Sequence, residues 1–371
     1  MDDLKPHGEL RAATAVGVWP LPVDDPRPDA GNLVALVEWL LRRYSVSGWD
    51  NDFVERLEMV LRRDNDGNLL PEGKVFRMER KGVAVTAQSQ DGKSTMVVQV
   101  LKRLFKDCFT DTKCGQHIAY CRLRGDATVK SVCMDLCRTT GYSNFPAKLT
   151  RAEANDLATH RLRLKGITIV VIDEVHNLLG KNEPVNLFLK TLAQDGGGFC
   201  VVLIGTPKVR EFIYAKPENI ELAERYFDLP LLPFARGAML ELINGAIKGV
   251  ARDAGINVAP SIRKDPYFAD RVYEGCRGSY GRCMLLIATA VVRALEEGGS
   301  AVDIEDFCKS FALKYLHFNP ENPFVLSDWA SRASAAVLDA PGSAGIYFES
   351  DPVEKPVKKR GRPRKNAAVA K

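Results

Sequence analysis

The stretch Ala87-Gln-Ser-Gln-Asp-Gly-Lys-Ser-Thr95 lies between an apolar run typical of a strand, residues 81–86, and a helical pattern that begins at Ser94. A loop in this place brings backbone N–H groups, a lysine and a helix N-terminus to the oxygens of a phosphate chain. Gly92 allows a close approach of the backbone because it has no Cβ atom. Lys93 is expected to bind the β- and γ-phosphates, and the Ser94 hydroxyl a metal ion. The stretch therefore predicts a site for ATP with Mg²⁺.

The whole loop is expected to contact the nucleotide. An alanine stands where such loops usually begin with a glycine, and we expect its methyl group to be tolerated at the point where the loop leaves the strand. The alternative is a chance Gly-Lys-Ser at a turn before a helix. The predicted nucleotide-binding residues are Ala87, Gln88, Ser89, Gln90, Asp91, Gly92, Lys93, Ser94 and Thr95.

A second motif follows about eighty residues later. Residues 167–177 read Ile-Thr-Ile-Val-Val-Ile-Asp-Glu-Val-His-Asn, and the β-branched run at 167–172 suits a strand buried on both faces of a parallel sheet. Asp173 then lies at the carboxyl end of that strand, where α/β sheets bind their ligands. We expect Asp173 to hold Mg²⁺ and Glu174 to polarise the attacking water. Without the upstream loop, a strand followed by an Asp N-cap would be the simpler interpretation; His176, on a helix face, is interpreted as structural.

Strand and helix patterns alternate over the middle of the chain, which predicts an α/β fold with a parallel sheet and helices on both faces. From about residue 236 the pattern is helical, and helices are predicted over 238–249, 262–275, 281–297 and 304–316. The predicted organisation is an N-terminal arm with an amphipathic helix (1–52), a nucleotide-binding α/β domain (53–235), a small all-helical lid (236–320), and a linker with a disordered basic tail (321–371).

Composition is that of a globular protein, with 46% hydrophobic and 27% charged residues in 371. No run of eighteen apolar residues occurs and the N-terminus has no secretory pattern, so neither a membrane segment nor export is expected. Nine cysteines without a signal favour a reducing cytoplasm. The net charge of +5 is uneven, because eight of the 52 Lys and Arg lie in residues 355–371, which contain no acid. The rest of the chain is slightly acidic.

The order of residues in the basic tail, as well as its charge, indicates a DNA partner. Residues 358–365 read Lys-Lys-Arg-Gly-Arg-Pro-Arg-Lys, and an extended Arg-Gly-Arg-Pro peptide suits the narrow minor groove of A·T-rich DNA, whose negative potential attracts arginine. The segment resembles an AT-hook, which implies double-stranded DNA as a partner. The alternative is a solvated tail with general affinity for polyanions. The candidate DNA-binding residues are Arg360, Gly361, Arg362, Pro363 and Arg364.

An α/β nucleotide core followed by a helical lid resembles the AAA+ ATPases. In residues 200–210 (Cys-Val-Val-Leu-Ile-Gly-Thr-Pro-Lys-Val-Arg), Thr206 matches the position where that family senses the γ-phosphate. In residues 221–231, Arg225 matches the arginine finger, which the resemblance implies reaches the nucleotide of a neighbouring subunit. Read without the family, Arg225 is a solvated helix-end arginine.

The helical region carries one further match to this family. Residues 278–282 (Gly-Ser-Tyr-Gly-Arg) open a lid helix where AAA+ proteins place a second sensor arginine, and Arg282 fits this position better than Arg277. The alternative is a loop with two surface arginines. With Glu174 from the second motif and three residues that the resemblance implies, the candidate catalytic residues are Glu174, Arg225, Thr206 and Arg282.

Within the AAA+ ATPases, residues 172–179, 204–207 and 321–324 resemble the TniB branch, transposition ATPases related to TnsC and the phage Mu B protein. That resemblance implies a homo-oligomer, ring or filament, that assembles on DNA with ATP, selects a target site and recruits or activates a transposase. Ala87 and the AT-hook-like tail depart from the branch. The alternatives are another DNA-linked AAA+ machine, such as a helicase loader or replication initiator, and a nucleotide-dependent scaffold that does not hydrolyse ATP.

Overall fold

The computed structural model describes residues 27–29, 31–76, 79–105, 117–179, 184–194, 198–316 and 321–326. The chain divides into two units, Met1–Trp329 and Ala330–Lys371, and every described residue belongs to the first. The predicted AT-hook, with Arg360 to Arg364, therefore lies outside the described residues.

The central sheet confirms the predicted α/β fold. Its strands are β5 (Gly82–Thr86), β6 (Ile118–Arg122), β7 (Ile169–Asp173), β8 (Cys200–Gly205) and β9 (Tyr226–Pro230). Among the described residues, these five parallel strands pair in the order β6-β7-β8-β5-β9. Both faces of the sheet are covered: Val83 and Val85 of β5 pack into one hydrophobic core and Ala84 between them into the other. This burial explains the continuous apolar runs that the sequence shows.

Helices connect the strands and cover the sheet. The helix after β5 begins at Lys93, one residue before the sequence prediction, and Gly92 is its N-cap. Within the described residues, no helix combines the length and apolar character needed to cross a membrane. In this part of the chain the helices are α1 (Leu33–Arg42), α2 (Gly48–Val60), α3 (Lys93–Leu104), α4 (Val129–Thr139), α5 (Arg151–Leu164), α6 (Val185–Gln194), α7 (Pro207–Tyr214) and α8 (Ile220–Ala223).

The C-terminal part of the described chain is helical, as predicted, but the helix expected over 262–275 is wrong. It is two helices, because Pro266 has no N–H and disfavours a helical conformation at Asp265. A short parallel pair, β10 (Asn257–Val258) with β11 (Ala301–Val302), joins the helices of this region. The helices are α9 (Arg236–Ala254), α10 (Pro260–Arg263), α11 (Phe268–Gly275), α12 (Tyr280–Glu296) and α13 (Ile304–Tyr315).

Several elements were not predicted from the sequence. Helix α5 and helix α6 were missed, as were the small hairpins formed by β1 (Leu61–Arg63) with β2 (Leu69–Gly73) and β3 (Val75–Phe76) with β4 (Glu79–Arg80). The predicted boundary at residue 52 falls inside α2, whose residues 48–60 are continuous. Helix α2 packs on α3 and on the sheet, so it belongs structurally with the α/β region.

Candidate nucleotide-binding site

The loop between β5 and α3 has the backbone of an anion-binding site. Gly92 has φ of 88° and Gln90 has φ of 70°, so two residues of the loop are left-handed and its N–H groups can turn towards one point. The N–H of Ala87 donates to the carbonyl of Gly205 (3.2 Å), which ties the loop to β8. Lys93 is 4% exposed, and its Nζ donates to the Gln88 carbonyl (3.3 Å). A buried ammonium with one neutral acceptor is suited to an incoming anion.

The two predicted metal-binding residues are in contact. The Ser94 Oγ donates a hydrogen bond to Oδ1 of Asp173 (3.0 Å), and the Asp173 carboxylate is completely buried at the end of β7. The Tyr120 hydroxyl donates to Oδ2 of the same carboxylate (2.6 Å), and the Glu174 N–H donates to Oδ1 (2.8 Å). Burial and this bond to Asp173 raise the pKa of Tyr120 well above its usual value. Three donors therefore fix the orientation of the aspartate.

Glu174 follows in an unusual backbone conformation. Its φ of 60° and ψ of 38° are left-handed, and it caps a short 3₁₀ turn, Val175–Leu178. One carboxylate oxygen of Glu174 lies 3.4 Å from Nη2 of Arg122 at the end of β6, and the other lies 3.4 Å from Nε2 of His176. A non-glycine residue in this region is held there at a cost of about 1–3 kcal/mol, which surrounding structure must supply. The side chain that would orient water is thus fixed by its backbone and two basic neighbours.

Thr206 lies at the end of β8, next to the loop. It is the N-cap of α7, yet its side chain makes no cap hydrogen bond. Within the described part of the chain, its buried Oγ1 has no hydrogen-bond partner. A buried hydroxyl without a partner costs free energy, so an acceptor such as a phosphate oxygen would satisfy it.

The lid arginine also meets the loop. Nε of Arg282, near the start of α12, donates to Oε1 of Gln90 (3.2 Å). A cavity of about 970 Å³ opens between the loop, the ends of β6 and β7, the start of α12 and the segment after α1. The structure therefore brings Lys93, Ser94, Asp173 and Arg282 to one cavity.

These residues fit a magnesium nucleotide. Hydroxyl and carboxylate oxygens are the ligands that Mg²⁺ takes in nucleotide sites, and Ser94 and Asp173 supply one of each. The buried Lys93 would supply a cation for the phosphate oxygens, while Thr206, whose hydroxyl has no partner among the described residues, is not part of the cavity wall. Ser94 and Asp173 are the residues that would hold the metal.

Arg225 is placed differently from the sequence interpretations. It is 8% exposed rather than solvated, its Nη2 forms an ion pair with Oε1 of Glu79 (2.6 Å), and its Nη1 donates to the Glu221 carbonyl. These contacts occupy Nη1 and Nη2 of Arg225, while its buried Nε has no hydrogen-bond partner among the described residues. Its assignment as an arginine finger stays a prediction that requires this ion pair to open.

Sequence reasoning missed three residues of the site. Tyr120 and Arg122 reach Asp173 and Glu174 because β6 pairs with β7 in a register that sets Arg122 opposite Asp173. Ser279 contacts the loop from the lid, with Oγ donating to Oδ1 of Asp91 (2.8 Å). The polar residues that end β6 were the available signal for the first two.

Residues 77–213 match the AAA domain family model. No curated protein matches the chain. Among solved structures, the chain is similar to the Orc1 protein of Aeropyrum pernix in complex with DNA, with 17% identity over 74% of this chain and 68% of that chain and a TM-score of 0.53. Two further similarities have lower TM-scores. Cdc6p of Pyrobaculum aerophilum has 14% identity over 62% of this chain and 59% of that chain, with a TM-score of 0.45. The Thermotoga maritima RuvB Holliday junction branch migration motor has 11% identity over 81% of this chain and 80% of that chain, with a TM-score of 0.42. The chain has the P-loop AAA+ fold: a five-stranded parallel sheet flanked by helices and followed by a helical region.

Proposed function

We propose that the chain is a DNA-binding AAA+ ATPase that binds ATP with Mg²⁺, assembles on double-stranded DNA and hydrolyses ATP to limit the lifetime of that assembly. The observation that carries the proposal is the contact between Ser94 and Asp173, with the buried Lys93 and the partnerless Thr206 hydroxyl beside the same loop. The pair that would bind the metal and the lysine line one cavity, and Thr206 follows the strand end that is hydrogen-bonded to the loop.

Each residue has a role that its position supports. Lys93 binds the β- and γ-phosphates, and the Thr206 hydroxyl donates a hydrogen bond to the γ-phosphate. Glu174, which contacts Arg122 and His176, orients the attacking water and takes its proton. Mg²⁺, when bound, neutralises charge that develops on the phosphate oxygens. The lid places Arg282 beside the loop, where it can meet the same charge.

Hydrolysis is tested by comparing Glu174→Gln with a matched control, Glu218→Gln, which changes an exposed glutamate that does not line the cavity. Glu174→Gln is expected to lower ATP turnover by roughly 10²–10⁴-fold while the affinity for fluorescent ATP is retained. Turnover should rise when duplex DNA is added. Equal turnover in the two variants would contradict the role of Glu174, and absent turnover in the wild type would favour a non-hydrolysing scaffold.

Assembly is tested by electron microscopy of the full chain on duplex DNA. Rings or filaments are expected with a non-hydrolysable ATP analogue and should be lost without nucleotide. In such an assembly Arg225 would leave Glu79 and reach a neighbouring subunit's phosphates. Assemblies that form equally well without nucleotide would contradict the proposal.

We expect the basic tail, residues 355–371, to make the protein prefer A·T-rich duplexes. Arg360, Arg362 and Arg364 would enter an A·T minor groove, so replacing all three with alanine should weaken binding to A·T-rich duplexes more than to G·C-rich ones. Replacing the same three with lysine preserves the charge and is the matched control. A loss that is equal on both duplexes would mean general polyanion affinity.

The narrower form of the proposal is a transposition regulator, supported by the resemblance of residues 172–179, 204–207 and 321–324 to the TniB branch. The ATP-bound protein should then stimulate strand transfer by an integrase-type transposase encoded beside it. A replication initiator is the second candidate, supported by the similarity in fold to a DNA-bound Orc1 protein. Stimulated helicase loading without any effect on strand transfer would favour the initiator.

A further inference from the structure

The first turn of the lid helix α12 rests on the phosphate-binding loop through polar contacts. The hydroxyl of Ser279, the N-cap of this helix, donates to Oδ1 of Asp91 (2.8 Å) and lies 3.5 Å from the Gln90 carbonyl. Nε of Arg282, one turn further on, donates to the Gln90 side chain (3.2 Å). Both contacts fall on residues immediately before Gly92 and Lys93.

The backbones also touch at this point. A Cβ atom added to Gly281 would lie 2.1 Å from the Gln90 carbonyl oxygen and 3.1 Å from the Gly92 nitrogen. A separation of 2.1 Å from a backbone oxygen essentially never occurs for a real Cβ atom, so only glycine allows the helix to lie this close. The lid and the loop therefore cannot separate at this contact without breaking the bonds to Asp91 and Gln90.

The Asp91 side chain lies between the loop and the first turn of the lid helix. Its carboxyl is mostly enclosed, and burial raises its pKa while the Ser279 hydroxyl and the charges of Lys93 and Arg282 oppose that rise. The residue stands between two left-handed positions, Gln90 and Gly92, which fix the direction of its side chain. The carboxylate is thus held by the same backbone that would wrap the phosphates.

The other side of the lid helix is anchored as well. The Tyr280 hydroxyl donates to the Ser45 carbonyl (2.9 Å), and the Tyr280 ring packs edge-on against Trp49 (5.6 Å between centroids). The cavity lies between these two attachments, with Tyr280, Gly281 and Arg282 in its wall. A nucleotide in the cavity would be enclosed by the lid for as long as the contact with the loop holds.

We propose that Asp91 is a positioning residue whose bond to Ser279 ties the lid to the phosphate-binding loop and sets how fast a bound nucleoside diphosphate leaves. The inference rests on the proposed function, since it requires a nucleotide in this cavity. Phosphate oxygens and the Asp91 carboxylate are both negative and would not attract each other, and the partner of Asp91 is Ser279 of the lid.

The test measures the dissociation rate of fluorescent ADP from the full chain by stopped flow. Asp91→Ala and Ser279→Ala should each raise the rate by about tenfold, and the double variant should match the single ones, because either change removes the same bond. Asp91→Asn keeps an acceptor for the Ser279 hydroxyl and should stay within about threefold of the wild type. Asp126→Ala and Ser143→Ala, both exposed, are the matched controls.

A second readout does not depend on nucleotide. Hydrogen exchange of residues 279–285 in the nucleotide-free chain should quicken in Asp91→Ala and Ser279→Ala and remain slow in Asp91→Asn. Thermal melting of each variant checks that the fold is retained.

The outcomes separate the two proposals. If the wild type binds ADP and Ser279→Ala releases it at the wild-type rate, the role of the bond is overturned while the ATPase proposal stands. Faster release in Asp91→Ala alone would trace to the removed charge and would also overturn it. If the wild type binds no ADP, the proposed function fails and the lid contact has no release to control.

Discussion

The Oγ of Ser94 and Oδ1 of Asp173, 79 residues apart in the chain, are joined by a hydrogen bond of 3.0 Å. The bond spans from the first turn of α3 to the last residue of β7, and it joins the two side chains that would share a metal ion. Because Asp173 is fully buried and held by three donors, the fold itself orients this carboxylate, the candidate metal ligand.

Ser94→Ala removes the hydroxyl ligand while the Asp173 carboxylate remains. We expect the affinity for ATP in the presence of Mg²⁺ to fall by about tenfold or more, and the affinity without Mg²⁺ to change little. Titration of fluorescent ATP with and without the metal measures both. Ser143→Ala, an exposed serine, is the control, and an equal loss under the two conditions would contradict the assignment.

Tyr120→Phe removes the hydroxyl that donates to Oδ2 of Asp173 (2.6 Å). A group that orients a metal ligand typically contributes about 10- to 100-fold in metal affinity, so the Mg²⁺ concentration for half-maximal turnover should rise by that factor. Mn²⁺ binding followed by electron paramagnetic resonance gives a readout that is independent of turnover. Tyr214→Phe, which loses a similar bond to the Tyr226 carbonyl, should leave the metal affinity unchanged.

Gly281→Ala introduces a Cβ atom 2.1 Å from the Gln90 carbonyl. The lid helix must then move away from the loop, and we expect a loss of about 1–3 kcal/mol in the free energy of unfolding. Gly245→Ala is the matched control, because open space surrounds that position in the middle of α9 and alanine should stabilise the helix by up to about 1 kcal/mol. Urea denaturation measures both, and a destabilised Gly245→Ala or an unchanged Gly281→Ala would contradict the packing.

The ion pair between Arg225 and Glu79 should be measurable as a coupling. A double-mutant cycle with Arg225→Ala and Glu79→Ala is expected to give about 1 kcal/mol between the two residues. The value is modest because about a third of the Glu79 side chain is exposed. Urea denaturation of the nucleotide-free chain provides the four free energies. Additive losses would mean that the two side chains do not interact.

The stability of the protein should depend on pH through Asp91. Its pKa in the folded chain is raised above 3.8, chiefly by burial, so the folded chain binds the proton more tightly than the unfolded chain. The stability that the protonated carboxyl contributes is complete below pH 3.8 and is lost as the pH rises through the folded pKa. Asp91→Asn stays neutral and does not suffer this loss.

We therefore expect Asp91→Asn to melt at a higher temperature than the wild type at pH 7, by roughly a degree or two, with the difference shrinking as the pH falls towards 4. Differential scanning calorimetry across this range is the measurement. Asp126→Asn, at an exposed position, should show no such trend. A difference that grows towards acidic pH would have the wrong sign.

The site residues that could be predicted are those whose sequence neighbours show a strand or helix pattern. Lys93 and Ser94 follow a strand pattern and open a helix, and Asp173 ends an apolar run, so each position could be read from its neighbours. Pro266 is a local signal for the break between Pro260–Arg263 and Phe268–Gly275, whereas apolar periodicity alone predicts one continuous helix there.

The parts that could not be predicted depend on long-range pairing. Tyr120 meets Asp173 only through the register of β6 on β7, and Asp91 meets Ser279 across 188 residues. Arg225 is buried, and its ion-pair partner is a glutamate 146 residues away. No periodicity or spacing in the sequence encodes such contacts, since they follow from how the elements are arranged in space.

Glu174 has a left-handed backbone conformation that costs stability, and its side chain is the one proposed to accept a proton from water. Glycine or asparagine would adopt φ of 60° with less strain, so the fold alone would favour either residue there. Neither can take a proton from water. Under the proposed function, a change of Glu174 to glycine or asparagine would therefore relieve backbone strain and abolish ATP turnover together, so stability and activity oppose each other at this position.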